Sequence, residues 1–478
     1  MAERESLFCK IEKNCCQFQP KLVLSIQKKG YFNKPFFWIM DRILNTDCNN
    51  HIGEKVNVCG WVYTRRDHGK IVFLDILDRS GVIQVVATGE IAGDLRSQDV
   101  VCIEASVAPR PEKLVNPNLK TGTIELQAQS IEILSKAQEL PFDMGGKDLN
   151  LQLPTLLDYR GLTLRHPQVK AVFKVQEAII DAFREGLRNH DFTEFQAPVI
   201  IPQTAEGGSE VFEVKYFDTK AFLAQSPQFY KQIMVGVFER VFTVNKTLRA
   251  EPSVTTRHLA EATTLDAEMG FISSWKELMN EVEYILKYIF EKVKKDCRDA
   301  LELYEASVPK VSSSIPRIKM REAQEIILKR TGVDNRKEPD LSPEDEREIG
   351  KWALEEHGSE VVFVTHYPTS KRPFYTMPDP EDPEYTLSFD VIGRGVEWLT
   401  GGQRITDVEI LTKNAKDRGI DLHKSELYMQ AFRYGMPPEG GWSFGSERIT
   451  QGILGLSNIR QASLFPRDME RVDTRFSS

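Results

Sequence analysis

The chain has 478 residues, with 62 basic against 70 acidic side chains and a formal net charge of −8. That length allows two or three domains with substantial cores, and the acidic balance excludes a protein that coats nucleic acid nonspecifically, while leaving room for a local basic track. No apolar run approaches the ~20 residues needed to span a bilayer, and the seven cysteines form no Cys-x-x-Cys pair, so reduced thiols in a cytoplasmic protein are expected rather than a disulfide scaffold or a zinc site.

Residues 1–39 are mixed in charge and show no sustained period. Residues 36–40 are too short a run for a signal-peptide core, and Glu3, Glu5 and Glu12 argue against a transit peptide. The segment reads as a dispensable extension or an upstream frame misread as coding. From there to residue 139 the pattern is short β segments, at 56–62, 71–77, 82–87, 100–107 and 123–134, with an Asp78-Arg-Ser-Gly81 turn between the second and third. Five short strands fit an oligonucleotide-binding barrel over residues 40–139. Arg65, Arg66, His68 and Lys70 cluster in an expected loop before Phe73, cations beside an aromatic, as stacking on an unpaired base needs. Phe73 as plain core is an equal alternative at this point.

Residues 140–165 carry Pro141, Pro154 and the Gly145-Gly146 pair and read as a hinge. A helix is expected from Pro167 to about His190, because Val172, Val175, Ile179, Phe183 and Leu187 recur at spacings of three and four. A strand over 192–201, containing Pro198, follows. Gln203-Thr-Ala-Glu206-Gly-Gly places a carboxylate beside glycines that let backbone approach a ligand. Gln225-Ser226-Pro-Gln228-Phe-Tyr-Lys231 supplies a hydroxyl, an amide and a cation.

Residues 247–272 are the most informative stretch. Arg249 and Glu251 sit two apart before a polar turn, and Asp266 and Glu268 two apart after it. Period-2 spacing would put each pair on one face of a hairpin. Arg257 and His258 lie in the loop between, suited to a polyphosphate. A solvated hairpin laced with surface ion pairs explains the segment in isolation equally well.

The region 300–383 is more polar and reads as a small helical insertion rather than a site. Ser342-Pro343-Glu344-Asp345 is a helix start: hydroxyl cap, proline in the first turn, acids at the positive dipole end. Sheet signals resume at 361–365 and 385–399. They continue through Phe389-Asp390 and Glu397-Trp-Leu-Thr400-Gly-Gly-Gln-Arg404 to Gly440-Gly-Trp-Ser-Phe-Gly-Ser-Glu-Arg448 and an apolar-faced helix with Ile449, Ile453 and Leu456. No Gly-x-x-x-x-Gly-Lys-Ser/Thr loop is present, so a P-loop nucleotide site is excluded. The class is α+β.

The order Arg-x-Glu, loop, Arg-His-Leu, Asp-x-Glu over residues 249–268 resembles motif 2 of the class II aminoacyl-tRNA synthetases. The helix–strand–Pro unit after Pro167 resembles motif 1, and residues 440–448 resemble motif 3; the likeness runs from about residue 52 to 468. Within the class the chain is similar to the aspartyl branch. The resemblance implies an OB-fold anticodon-binding barrel followed by an antiparallel-sheet catalytic domain over 166–478, and a homodimer formed through motif 1. It implies activation of L-aspartate by ATP and transfer to the terminal adenosine of tRNA(Asp). Arg249 would bind the α-phosphate, Arg257, His258 and Arg448 the γ-phosphate end, and Glu251 the adenine amino group. Glu397 and Thr400 would hold Mg²⁺. Glu206, Ser226, Gln228 and Asp266 would hold the amino acid's ammonium and carbonyl end, Lys231 and Arg404 its side-chain carboxylate. Arg66, His68, Phe73 and Gln84 match anticodon-contacting positions.

Charge matching argues for aspartate over asparagine, since two buried cations facing an amide would be left unpaired. Lys231 is expected to discriminate most, although alone it also fits a surface helix lysine. Ala262 stands where many relatives place an aromatic over adenine, Thr400 replaces the usual Ser, and Ala205 a Ser or Thr. The large bacterial-type insertion is absent. An enzyme charging both tRNA(Asp) and tRNA(Asn) is the alternative, suggested by His68 and opposed by Lys113. An asparaginyl enzyme and a tRNA-independent ligase using ammonia follow further behind.

Overall fold

The computed structural model describes residues 42–476, apart from Lys147, residues 204–210 and residues 253–254. The extension 1–39 therefore lies outside the described residues. The chain divides into two units between Leu149 and Asn150.

The first unit is a closed barrel of β1 (Lys55–His68), β2 (Ile71–Leu77), β3 (Val82–Thr88), β4 (Val100–Pro109) and β5 (Ile124–Ser135), ordered β1-β2-β3-β5-β4. Strict alternation builds it: Val72, Leu74 and Ile76 of β2 are buried while Phe73 and Asp75 turn outward. The inward set packs with Val58, Ile83, Val85, Val101, Ile103 and Leu126 into one core. The turn after β2 is held by Asp78, whose Oδ1 accepts from the backbone N–H groups of Ser80 (2.7 Å) and Gly81 (3.1 Å).

Two expectations are corrected here. β1 continues to His68, so Arg65, Arg66 and His68 are strand residues, not loop residues. Long cross-strand pairing with β2, down to His68↔Ile71, keeps them extended. The thiols are not all reduced: Cys59 and Cys102 form a disulfide across β1 and β4, with Cα atoms 4.1 Å apart. The antiparallel register sets them directly opposite each other, a long-range pairing that cysteine spacing does not reveal. Cys48 and Cys297 are free and buried.

In the second unit, short helices Leu153–Asp158 and Arg160–Thr163 occupy part of the expected hinge. Helix α1 (Pro167–Arg188) buries Val172, Val175, Ile179, Phe183 and Leu187. The strand expected over 192–201 is broken: β6 is only Thr193–Glu194, and Ile200–Ile201 joins a separate three-stranded sheet with Glu213–Tyr216 and Thr219–Leu223. Pro198, which lacks an N–H, stands in the gap.

Helix α2 (Gln228–Phe238) precedes β7 (Arg240–Leu248) and β8 (Glu261–Gly270), and α3 (Lys276–Asp296) packs with α1 on the sheet. The remaining strands are β9 (Arg317–Lys319), β10 (Val361–Thr365), β11 (Ser388–Gly393), β12 (Val396–Gln403) and β13 (Glu439–Gly445). Their order is β9-β10-β11-β12-β13-β8-β7-β6, antiparallel except where β9 meets β10 and β6 meets β7. Helices α4 (Pro343–His357), α5 (Glu426–Arg433) and α6 (Ser446–Leu454) complete the elements used below. The polar region 300–383 is not wholly an insertion, because β9 and β10 belong to the main sheet. Its helix α4 is capped at Ser342, whose Oγ accepts from Asp345 N at 3.2 Å while Asp345 Oδ2 accepts from Ser342 N at 3.0 Å.

Candidate active site

A cavity of about 390 Å³ opens on the sheet and is lined from distant parts of the chain, by Ser226, Gln228, Lys231, Asp266, Thr400 and Arg404 together with Arg249, Glu251, Arg257, His258, Glu397 and Arg448. Of the residues expected there, Glu206 lies outside the described residues.

Asp266 and Glu268 alternate with Leu265 and Ala267 on β8, and both carboxylates are fully buried. Glu268 has room because its neighbour across the ladder is Gly441: a Cβ there would lie 2.0 Å from Glu268 Oε2. Lys231, on the first turn of α2, is 1% exposed. Its ammonium donates to Asp266 Oδ1 and to the Trp442 carbonyl, each at 3.2 Å, and forms an ion pair with Glu268 Oε2 at 3.2 Å. Arg404 donates Nε (2.6 Å) and Nη2 (3.3 Å) to Glu268, which leaves Nη1 without a hydrogen-bond partner among the described residues. Both cations thus have carboxylate partners within the protein, and the Nη1 edge of Arg404 stays open among the described residues. Asp266 Oδ2 is buried without a partner among the described residues, an acceptor waiting for a donor.

Arg249 and Glu251 lie beyond the end of β7, in the loop, so the expected strand pair is corrected to loop residues. Arg249 N still donates to the Ala260 carbonyl at 2.9 Å, and Arg249 Nη1 lies 3.7 Å from Glu251 Oε1. His258 Nε2 is 3.9 Å from Glu251 Oε2 and its Nδ1 is 2.6 Å from Thr255 Oγ1. Burial, followed by the positive charges of Arg448, Arg249 and Arg257 working against Glu251, holds the His258 imidazole below its ordinary range. Arg249, Arg257 and Arg448 line the same cavity as His258.

Arg257 reaches across to α4, donating to Glu346 Oε2 at 2.8 Å, and Glu346 also accepts from Glu397 N at 3.3 Å. The region read as a bystander thus supplies a carboxylate to the site. It also supplies Arg372, whose Nη2 lies 2.8 Å from Asp390 and whose Nη1 donates to Thr400 Oγ1 at 3.0 Å. Sequence reasoning missed both; an acid in the first turn of a capped helix and a basic pair before Pro373 are weak signals.

Glu397 and Thr400 are three apart on a strand, a spacing that ordinarily puts side chains on opposite faces. A β-bulge resolves this: Leu399 pairs with Val391 and Glu397 with Ile392, leaving Trp398 as the extra residue. Trp398 is buried against Gly393 and Gly452, where a Cβ would come within 2.5 Å and 2.4 Å of the indole. Both Glu397 and Thr400 then line the cavity. Burial, opposed by Arg448 and reinforced by Asp390 and Glu346, pushes the Glu397 carboxyl up to about 7. Arg448, in the first turn of α6, donates to the Glu397 carbonyl at 3.0 Å and lies 3.4 Å from its carboxylate.

On the barrel, Arg66, Phe73, Asp75 and Gln84 share the outer face through the pairs Arg66↔Phe73 and Asp75↔Gln84. Arg66 grips Asp75 with two hydrogen bonds, at 3.0 and 3.1 Å, and His68 packs edge-on against Phe73 at 5.5 Å. Phe73 is partly buried on this outer face and is not part of the barrel core.

Residues 152–469 match the family model described as tRNA synthetases class II (D, K and N), and residues 56–134 match one described as an OB-fold nucleic acid binding domain. The chain is 43% identical over 433 residues to a Thermus thermophilus protein named aspartate–tRNA(Asp/Asn) ligase, covering 90% of this chain and 99% of that one. It is 39% identical over 430 residues to a Pyrococcus abyssi protein named aspartate–tRNA(Asp) ligase, covering 88% and 96%. The crystal structure of asparaginyl-tRNA synthetase from Pyrococcus horikoshii complexed with asparaginyl-adenylate superposes with a TM-score of 0.79 at 30% identity, covering 88% of this chain and 97% of that one.

Proposed function

The chain belongs to the class II aminoacyl-tRNA synthetases, in the group that takes in the aspartate, lysine and asparagine enzymes, and on that premise we propose that it is an ATP-dependent aspartate–tRNA ligase working in protein biosynthesis. The observation that carries the reading is one cavity lined both by an arginine–histidine cluster and by the buried Lys231, Asp266 and Arg404, whose two cations Glu268 bridges.

In this reading the α-ammonium of aspartate takes the free Oδ2 of Asp266, with Ser226 and Gln228 beside its carbonyl end and Glu206 in support. The side-chain carboxylate meets the open Nη1 edge of Arg404 and Lys231. The α-carboxylate, already a nucleophile, attacks the α-phosphorus of ATP; the bond to the β-phosphate oxygen breaks and pyrophosphate leaves with the electron pair. Arg249 neutralises charge at the α-phosphate, Arg257, His258 and Arg448 at the γ-phosphate end, and Glu251 accepts from the adenine amino group. Positioning and charge neutralisation suffice for this step. The 3′-hydroxyl of the tRNA's terminal adenosine then attacks the aspartyl carbonyl and AMP departs.

Mg²⁺ fits the donors present: Glu397 and Thr400 offer oxygens, as the hard ion prefers. Bound there, it would supply charge neutralisation at the phosphates. Homodimerisation is supported by Phe238 and Phe271, both exposed and brought to one edge by the Gly270 N to Glu239 O bond; sedimentation tests it. A cytoplasmic site of action accords with the reaction, and no helix among the described residues is long and apolar enough to cross a membrane.

A relaxed specificity is favoured by His68. Aspartate and asparagine anticodons differ at one base, and a His at the platform's rim can donate or accept toward either. Lys113, exposed in a short 3-10 turn, is the opposing feature. Aminoacylation of purified tRNA(Asp) and tRNA(Asn) decides: aspartate is expected on both, with His68→Leu lowering only the second. No detectable charging of tRNA(Asn) would leave the strict enzyme, and ATP–pyrophosphate exchange with ammonia as acceptor would expose a tRNA-independent ligase.

A further inference from the structure

Behind Gln228 lies a second layer of buried polar side chains that the reaction above does not use. Gln232, one turn further along α2, is 0% exposed. Its Oε1 accepts from Gln228 Nε2 at 3.0 Å and from the Tyr428 hydroxyl at 3.1 Å, and its Nε2 donates to Glu439 Oε1 at 2.7 Å. Gln232 thus links Gln228 and Tyr428 on one side to Glu439 on the other. Glu439, the first residue of β13, is itself 0% exposed, and its Oε2 has no hydrogen-bond partner among the described residues.

The titratable and charged groups that act on Glu439 are Glu268 from β8, Lys231 from α2, Tyr428 from α5 and Arg404 beyond β12. The backbone N–H of Arg404 donates to the Glu439 carbonyl at 2.9 Å, but its guanidinium is committed to Glu268. Lys231 is committed to Asp266 and Glu268. Glu439 is thus a buried carboxyl served by one neutral amide, beside a second carboxylate that has taken the nearby cations. Such a group keeps its proton. Burial first, and the charge of Glu268 second, push its carboxyl well above the ordinary range, against the pull of Gln232, Arg404 and Lys231. Two cations then face two carboxylates; an ionised Glu439 would add a third negative charge to the wall that receives aspartate's own.

We propose that Glu439 is a specificity-determining positioning residue: through Gln232 it holds Gln228 against the amino acid, and by staying uncharged it keeps Lys231 and Arg404 receptive to the side-chain carboxylate of aspartate. It acts through its neighbours and does not touch the reacting atoms.

The inference rests on reading the cavity as an aspartate site, so aspartate-dependent ATP–pyrophosphate exchange by the wild-type protein is the control. Its absence would sink that reading, whereas exchange with an indifferent position 439 would sink the inference alone. The measurements are KM for aspartate and the competitive Ki of asparagine, whose ratio cancels the shared α-ammonium. Glu439→Ala, which strips Gln232 of its acceptor, is expected to raise KM for aspartate by ~10-fold with kcat much less affected. Glu439→Gln, permanently neutral and of the same shape, is expected to rescue KM and keep the ratio within about threefold of wild type. A Glu439→Gln protein that favours aspartate over asparagine by ~10-fold more than wild type would show that Glu439 is charged, and would overturn the proposal. Glu439→Ala kinetics equal to wild type would also overturn it. Should Glu439→Ala fail to fold, infrared spectra of the other two proteins at mildly alkaline pH still decide: the wild type must show a protonated carboxyl band that Glu439→Gln lacks.

Discussion

The outer face of the barrel and the cavity of the eight-stranded sheet both set arginines beside carboxylates, yet the Arg66 side chain is 48% exposed and that of Arg404 only 6%. On the barrel, the Arg66 end of the Arg66–Asp75 pair is open to water although the Asp75 side chain is 14% exposed, so the pair contributes only modestly to stability. In the cavity, Lys231, Asp266, Glu268 and Arg404 have been taken out of water together, and removing one strands the others. The barrel face thus carries weak contacts that can be replaced singly, and the cavity carries contacts that depend on one another.

Substitutions sharpen that contrast. Arg448→Ala should nearly abolish ATP–pyrophosphate exchange, a loss of ~10²–10³-fold or more, because a preorganised charge on the nucleotide is gone; exchange within a few-fold of wild type would remove Arg448 from the site. Lys231→Leu should cut aspartate activation by at least ~10²-fold, since an uncompensated buried charge costs ~3–5 kcal/mol, and unchanged use of aspartate would mean that Lys231 serves only the fold. On the barrel, Phe73→Ala should weaken tRNA charging by ~1–3 kcal/mol of lost stacking and spare tRNA-free exchange. Equal losses in the two assays would point instead to a damaged protein. Arg66→Ala should move unfolding stability by no more than ~1 kcal/mol, and a larger change on denaturant titration would break the contrast between the two surfaces.

The smallest effect is one of pH. The folded-state Glu397 carboxyl sits at about 7, above its ordinary 4.5, so the folded protein holds this proton more tightly than the unfolded chain. Its stabilising contribution is complete below pH 4.5 and is lost as pH rises through 7. Its side chain is 36% exposed, which reduces the effect. Thermal melts in chelator should therefore show the Tm of Glu397→Gln minus that of wild type rising slightly between pH 5 and pH 8; a difference that falls with rising pH would contradict the assignment.

Local periodicity made much of the molecule legible from sequence. Alternation in residues 71–77 is enough to turn Phe73 outward once one face is known to be core, and the α1 stripe of Val172, Val175, Ile179, Phe183 and Leu187 is buried as a helix of period 3.6 requires. The Ser342 cap is equally local, a contact over three residues. Where the reading failed, it applied a local rule to a place governed by something distant. Arg249 and Glu251 have strand spacing, but β7 ends at Leu248 and the loop takes over.

What the sequence by itself determined is thus the set of elements, the α+β class and the chemical types gathered for the reaction, because turns, caps and periods act over a few residues. Only the tertiary structure decided which of those groups meet. The Trp398 bulge, made possible by Gly393 and Gly452, turns Glu397 and Thr400 to one side. Arg257 finds Glu346 across 89 residues, Gln232 finds Glu439 across 207, and Cys59 finds Cys102 across a barrel ladder. Each of these pairings depends on strand order and register, which follow from burying the whole core at once, and no short window of sequence contains that information.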